Sequence, residues 1–180
     1  MTYNPDIHHR RSIRVPDYDY SQAGYYFITI CVQNRDCLLG EIKDGSMQLN
    51  AAGQMVCQWF DELENKFPHL KNNAFVCMPN HIHLVVQILS EPRQGQTHRS
   101  TPTGGSVSIP QVVQWFKTMT SNAYIKGVKN HHWQPFYGKL WQRNYWEHIV
   151  WDDKNLLFIR DYIINNPKTW ENDVLNPTHQ

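Results

Sequence analysis

The run Met78-Pro79-Asn80-His81-Ile82-His83-Leu84-Val85-Val86 sets two histidines one residue apart inside an apolar stretch. Extended backbone sends successive side chains to opposite faces, so His81 and His83 share one face, roughly 6–7 Å apart at Cα given ~3.3 Å of rise per residue. Ile82, Leu84 and Val86 take the other face and point to a core. Two imidazoles on one face at that spacing can converge on a metal ion. Two solvated histidines on an edge strand are the plain alternative, and a third ligand with a reacting group elsewhere decides between them.

The rest of the chain supplies the layers for such a strand. Gly24 to Val32 is rich in aromatic and β-branched residues and reads as a buried strand. Gly40 and Asp44-Gly45 mark turns and a short hairpin between Cys37 and Met47. Asn50 can cap a helix through about Phe67, stopped by Pro68, with Met55, Trp59, Leu63 and Phe67 as its apolar stripe and Asp61, Glu62 and Glu64 solvated. One extended element is expected from Ala74 to Leu89, interrupted at Pro79, where the proline implies a bulge or strand edge just before the histidines.

A second helix is expected from Ser108 or Ile109 to about Ile125, with Pro110 in its first turn, Gly127 just beyond its end, and Val112, Phe116, Met119 and Ala123 buried. Leu140 to Val150 reads as extended. A last helix starts at Asp152 or Asp153 and ends at Pro167, with Leu156, Ile159 and Ile163 on the core and Phe158, Tyr162 and Asn166 along an adjoining face. This order of elements predicts an α+β fold, a ferredoxin-like sandwich in which helices cover an antiparallel sheet. One domain is expected over residues 1–180, with a basic N-terminal arm over about 1–20 and a flexible loop over about 90–107.

At 180 residues the chain can bury a core without covalent staples. Its four cysteines form no Cys-x-x-Cys pair, which argues against a zinc ribbon or a redox motif; Cys31 and Cys77 sit in strand-like runs as core thiols. The first residues lack the apolar region of a signal peptide and no segment reaches the length of a membrane span, so a cytoplasmic protein is expected. The formal net charge of +1 neither favours nor excludes nucleic acid. Local clusters say more: Arg10, Arg11 and Arg14 suit a phosphate-contacting arm or a solvated tail, and seven tryptophans and nine tyrosines, many set among basic residues, suit base stacking.

The histidine pair inside Met78-Pro79-Asn80-His81, then Trp141-Gln142-Arg143, Trp146-Glu147-His148 and finally Tyr162-Ile163-x-x-Asn166-Pro167, in that order, resembles the REP-associated tyrosine transposases within the single-tyrosine HUH transposases. The resemblance runs from about Ser12 to Trp170. It implies that His81 and His83 bind a divalent metal, Mg2+ or Mn2+, with Asn166 completing the set one helical turn after Tyr162. It implies Tyr162 as the nucleophile of a nicking and rejoining reaction through a covalent 5′-phosphotyrosine, acting on single-stranded DNA hairpins. Zinc stays open on ligand grounds alone.

Glu147 and His148 are candidates for supporting roles, and Tyr145 is the second candidate for nucleophile. Arg10, Arg11, Arg14, Lys117, Lys126 and Arg143 are candidate phosphate contacts, and Trp141 or Trp146 a stacking platform. The chain departs from the family at Trp151, where related sequences often carry arginine, which puts one phosphate contact in doubt. A non-cleaving, hairpin-binding regulator of the same fold is the main alternative; a zinc hydrolase of small phosphoesters fits the tyrosine and the aromatic-basic surface less well. The expected state is a monomer, with a dimer as the alternative.

Overall fold

The computed structural model describes residues 18–90 and 107–179. In chain order these hold strands β1 (Gly24–Cys31), β2 (Gly40–Lys43) and β3 (Ser46–Leu49), helix α1 (Ala51–Lys66), strands β4 (Leu70–Cys77) and β5 (His81–Ile88), helix α2 (Ile109–His131), strand β6 (Trp146–Val150) and helix α3 (Asp153–Asn165). Four strands form one antiparallel sheet in the order β4-β5-β1-β6, and β2 with β3 forms a separate hairpin. Leaving out that hairpin and α3, the order strand, helix, strand, strand, helix, strand is the ferredoxin-like pattern that the sequence predicts.

Alternation along the strands gives the sheet two unlike faces. On one face Tyr26, Ile28, Ile30, Ile82, Leu84 and Val86 pack beneath α1 and α2, meeting Val56, Leu63, Val112 and Phe116. On the other, Val85 and Val150 pack against Leu156, Ile159 and Ile163 of α3. Each such side chain stabilises the fold by about 1.5–3 kcal/mol on full burial. The helices start where the sequence can satisfy free backbone N–H groups. Asn50 Oδ1 accepts from the Gly53 N–H at 2.9 Å, and Asp152 Oδ1 from that of Asn155 at 2.7 Å.

Several boundaries differ from the sequence reading. The single element expected over Ala74 to Leu89 is a hairpin of two strands, because Met78 donates its N–H to the His81 carbonyl at 2.8 Å and closes a tight turn through Pro79. Pro79 sits in that turn, and the ladder irregularity falls between Asn72 and Ala74 instead. β5 is therefore interior, flanked by β4 and β1, so its histidines are not edge residues. α2 runs past Gly127 to His131; Gly127 lies inside the helix, where a Cβ would collide with the Trp133 ring. The buried stripe of α2 follows Phe116, Thr120 and Tyr124, with Met119 and Ala123 only half-buried.

The stretch from Leu140 is mostly irregular and becomes a strand only at Trp146. It is tied to the sheet by the Gln142 N–H, which donates to the Cys31 carbonyl at 2.9 Å. After α3, Pro167 opens a 3-10 turn over Asn166–Asn172. The segment that follows returns to the Met78-Pro79-Asn80 turn, where Asn80 Nδ2 donates to the Leu175 carbonyl at 2.8 Å. The basic arm, apart from its last residues, and nearly all of the 90–107 loop lie outside the described residues, as do Arg10, Arg11 and Arg14. Among the described residues no helix is long and apolar enough to cross a membrane.

Candidate active site

The register places the imidazoles before any side chain is considered. In the β1–β5 ladder Cys31 pairs with His81 and Thr29 with His83, so both histidines point to the α3 side of the sheet. Both are buried, His81 at 0 % and His83 at 3 % relative exposure. Each ring is held at Nδ1. Asn80 Nδ2 donates to the Arg35 and Leu175 carbonyls, which turns its Oδ1 toward His81 Nδ1 at 2.8 Å. That oxygen can only accept, so the His81 proton resides on Nδ1 and its Nε2 carries a lone pair.

Thr29 Oγ1 lies 2.7 Å from His83 Nδ1, and with the hydroxyl accepting there, His83 also presents a lone pair at Nε2. The two Nε2 atoms are 3.1 Å apart. Two lone pairs at that distance repel unless a cation or proton stands with them. A proton is disfavoured: burial pushes His83 down to about 4, and burial, His83 and the Arg35 charge hold His81 well below its ordinary value.

α3 crosses this face and brings Tyr162 to the pair, its hydroxyl 3.3 Å from His83 Nε2. Phe27 fixes the approach, stacked on His83 at 5.4 Å between ring centroids and edge-on to Tyr162 at 6.1 Å. The tyrosine is 41 % exposed, so its phenol is held by protein yet reachable from solvent. Burial raises its pKa above the ordinary value, the Asp173 charge adds to the rise, and the Asn166 amide offsets part of it.

Asn166 is buried at 1 % exposure, and beyond its approach to the Tyr162 phenol neither polar atom of its amide meets a hydrogen-bond partner among the described residues. A buried amide with unmet hydrogen-bonding capacity costs about 1–3 kcal/mol, which a ligand at its oxygen would relieve. Asp173, beyond the 3-10 turn, joins the histidines: one carboxylate oxygen and one nitrogen from each ring lie within 4.8 Å of one another. The donor set of two imidazoles and a carboxylate thus fits a divalent cation, and the Asn166 amide reaches the same tyrosine that approaches His83. Asp173 is the residue that sequence reading missed. Nothing in its local sequence marks it, since it reaches the histidines only because the tail folds back.

The other expected site residues separate by strand parity. His148 pairs with Phe27 and Trp146 with Thr29, so both lie on the histidine face, and Trp146 is 65 % exposed. Glu147 pairs with Ile28 and points to the opposite face, beneath α1 and α2, away from the histidines. Trp141 is buried, its indole N–H donating to Thr120 Oγ1 at 2.8 Å, so it offers no surface to a base. Lys117 donates to the carbonyls of Gln142, Arg143 and Asn144, which leaves its ammonium as a loop staple more than a phosphate contact. Its charge also sits 5.3 Å from the centre of the Tyr145 ring, which places Tyr145 on the α2 side and remote from the imidazoles. Lys126 and Arg143 are exposed. Trp151 is exposed and packs edge-on against Tyr18 at 6.0 Å.

No protein-family model matches the sequence. An uncharacterised protein of Haemophilus influenzae is 39 % identical over 180 residues, covering 96 % of this chain and 96 % of its own length. A second Haemophilus influenzae protein, assigned as a REP-associated tyrosine transposase, is 26 % identical over 149 residues, covering 83 % of this chain and 73 % of its own. The solved structure of a REP-associated tyrosine transposase bound to a REP hairpin matches with a TM-score of 0.57 at 20 % identity, over 87 % of this chain and 72 % of that one.

The four-stranded antiparallel sheet, with its His-x-His strand inside and a tyrosine helix across it, thus belongs to an α+β fold shared with that solved transposase. The chain is similar to the REP-associated tyrosine transposases, at 26 % sequence identity to one and in fold to another.

Proposed function

We propose that this protein nicks and rejoins single-stranded DNA at hairpins of the REP type, with Tyr162 as the nucleophile. The observation that carries the reading is the 3.3 Å approach of the Tyr162 hydroxyl to His83 Nε2. A free phenol beside an imidazole pair, itself beside a carboxylate, suits phosphoryl transfer more than any structural role. In the first step the phenol oxygen attacks the scissile phosphorus, the bond from phosphorus to the 3′ oxygen breaks, the phenol gives up its proton and the departing 3′ oxygen gains one. The product is a 5′-phosphotyrosine and a 3′-hydroxyl. Attack by a 3′-hydroxyl on that linkage reverses the step, so one ester bond is exchanged for another and no external energy source is needed.

His81, His83 and Asp173, with Asn166 as a further candidate donor, would hold Mg2+ or Mn2+, which when bound would neutralise charge on the scissile phosphate and favour the phenolate. Mg2+ and Mn2+ suit this mixed set of nitrogen and oxygen donors better than Zn2+, which prefers closed nitrogen or sulfur sites. Asn80 and Thr29 aim the imidazoles, and Phe27 holds the phenol at its angle. Every group of the site comes from one chain, which supports action as a monomer. Its partner is a single-stranded DNA hairpin, by analogy with the relative solved on a REP hairpin.

The test is incubation with hairpin-bearing single-stranded DNA and Mg2+ or Mn2+, followed by a denaturing gel. A covalent adduct in the wild type and none in Tyr162→Phe supports the reading. Tight binding with no adduct under either metal identifies a hairpin-binding regulator instead. An adduct that survives Tyr162→Phe and disappears in Tyr145→Phe moves the nucleophile.

A further inference from the structure

The tyrosine helix rests on the sheet through apolar contact: Leu156, Ile159 and Ile163 pack with Val85, Val150, Ala74 and Val76. Such packing is non-directional, so on its own it sets the roll of α3 about its axis only weakly. A directed bond holds one flank. Arg160 Nε donates to Asn73 Oδ1 at 2.8 Å, and both side chains are half-buried, which shields the bond in part from competing water.

Asn73 is free to make this bond because β4 is bulged there. Asn72 pairs with Val86 and Ala74 with Val85, so Asn73 is the extra residue that nothing in β5 opposes. The bulge also switches the parity of the strand. Unbroken alternation would put Asn72 and Ala74 on one face, yet Asn72 Nδ2 donates to the Phe60 carbonyl of α1 while Ala74 and Val76 pack beneath α3. One irregularity thus builds the floor of the tyrosine helix and supplies a side chain that holds it.

Arg160 and Tyr162 leave α3 on opposite flanks. At 3.6 residues per turn, positions two apart project about 160° from each other around the axis, and Ile159 and Ile163 face the sheet between them. On its own flank Tyr162 meets Phe27 of β1 and His83 of β5, its hydroxyl 3.3 Å from Nε2. A roll of about 10° would move an atom at the outer radius of the helix, roughly 5–6 Å from the axis, by about 1 Å. That is enough to matter, since a misplacement of about 1 Å can cost roughly a hundredfold in rate.

We propose that Asn73 and Arg160 are positioning residues for Tyr162: their bond on the β4 flank sets the roll of α3, and with it the aim of the phenol on the β1 flank. The inference rests on the proposed nicking by Tyr162 and adds what keeps that nucleophile in register with the histidines.

The experiment compares wild type with Asn73→Ala, Arg160→Met, the double variant and Asn73→Asp, each checked for fold by circular dichroism. Arg160→Met keeps most of the apolar stem, so it carries the test should Asn73→Ala fail to fold. Three readings are taken: the single-turnover rate of adduct formation on hairpin DNA with Mn2+, the affinity for that hairpin, and the fluorine NMR line of fluorotyrosine placed at position 162 in metal-free protein. Expected in each single variant is a rate lower by roughly tenfold to a hundredfold at saturating DNA, with hairpin affinity unchanged and the fluorine line displaced. The double variant should be no slower than either single one, as members of one pair require, and Asn73→Asp, which keeps the acceptor oxygen, should restore the rate. Wild-type rates in both single variants overturn the positioning role, whether or not the line moves, and leave the nicking reaction standing. A rate that falls only together with hairpin affinity also overturns it, because that marks a DNA contact. Absence of adduct from the wild type removes the nicking reaction and this role together.

Discussion

Acidification should destabilise the metal-free protein through its histidine pair. His83 titrates near 6.5 when unfolded and at about 4 when folded, because burial disfavours the imidazolium. The unfolded chain then binds more protons between these values, so stability is complete above about pH 6.5 and is lost as pH falls toward 4. Linkage gives about 2 kcal/mol lost from His83 between pH 7 and pH 5, and roughly 3 kcal/mol once the folded value is passed. His81 shifts in the same direction and adds to the loss.

The carboxylates do not confuse this window. Asp19 and Glu64 are held low, by Ser21 and Lys71 respectively, and their contributions fade only as pH falls through the ordinary carboxylate range, below about pH 5. Urea unfolding followed by tryptophan fluorescence at pH 7, 6 and 5, with chelator present, measures the effect. With slopes of about 1–3 kcal/mol per molar, the midpoint should fall by about 1 M or more from pH 7 to 5. Mn2+ should raise the midpoint at pH 7 and lose that effect at pH 5, where protons compete for the same lone pairs. A midpoint independent of pH, or a pH dependence unchanged in His83→Gln, would refute the reasoning.

Asp173→Ala should weaken Mn2+ binding by about tenfold or more, since it removes the only charged ligand of the proposed set; calorimetric titration reads this, and unchanged affinity transfers the role to Asn166. Asn80→Ala should cost roughly 2–4 kcal/mol in thermal or urea unfolding, because it strands the Arg35 and Leu175 carbonyls and releases His81 Nδ1. Gly53→Ala should destabilise by about 1–3 kcal/mol or more, as its Cβ would collide with the Leu39 carbonyl and the Leu49 side chain; a neutral outcome in urea unfolding would show that α1 can shift away from β3.

Much of this site was legible because side-chain alternation depends only on residue spacing. The period of two put His81 and His83 on one face and Ile82, Leu84 and Val86 on the other, and the ladder agrees. Tyr162 was singled out by the order of motifs, and α3 brings its hydroxyl to within 3.3 Å of His83 Nε2. What stayed hidden depends on contacts between distant segments. The hairpin between β4 and β5 looked like one interrupted strand, because only Met78, Pro79 and Asn80 separate two apolar runs. Gly127 resembled a helix terminus, whereas its missing side chain makes room for Trp133. Trp141 looked like a stacking surface, and its buried partner Thr120 is supplied by another helix.

The adjacent triplet Trp146-Glu147-His148 shows how one strand serves both sides of the sheet. Parity sends Trp146 and His148 to the histidine face and Glu147 to the helix-covered face. A one-residue slip of β6 would exchange them, removing an exposed indole from the face that carries Tyr162 and presenting a carboxylate there. Repulsion between that carboxylate and an incoming phosphate would oppose DNA binding on this face. The register of β6 is itself set by burial of Ile149 and Val150 against opposite faces, at 7 % exposure each. Apolar packing at one end of a five-residue strand thus fixes which polar groups share the histidine face at the other.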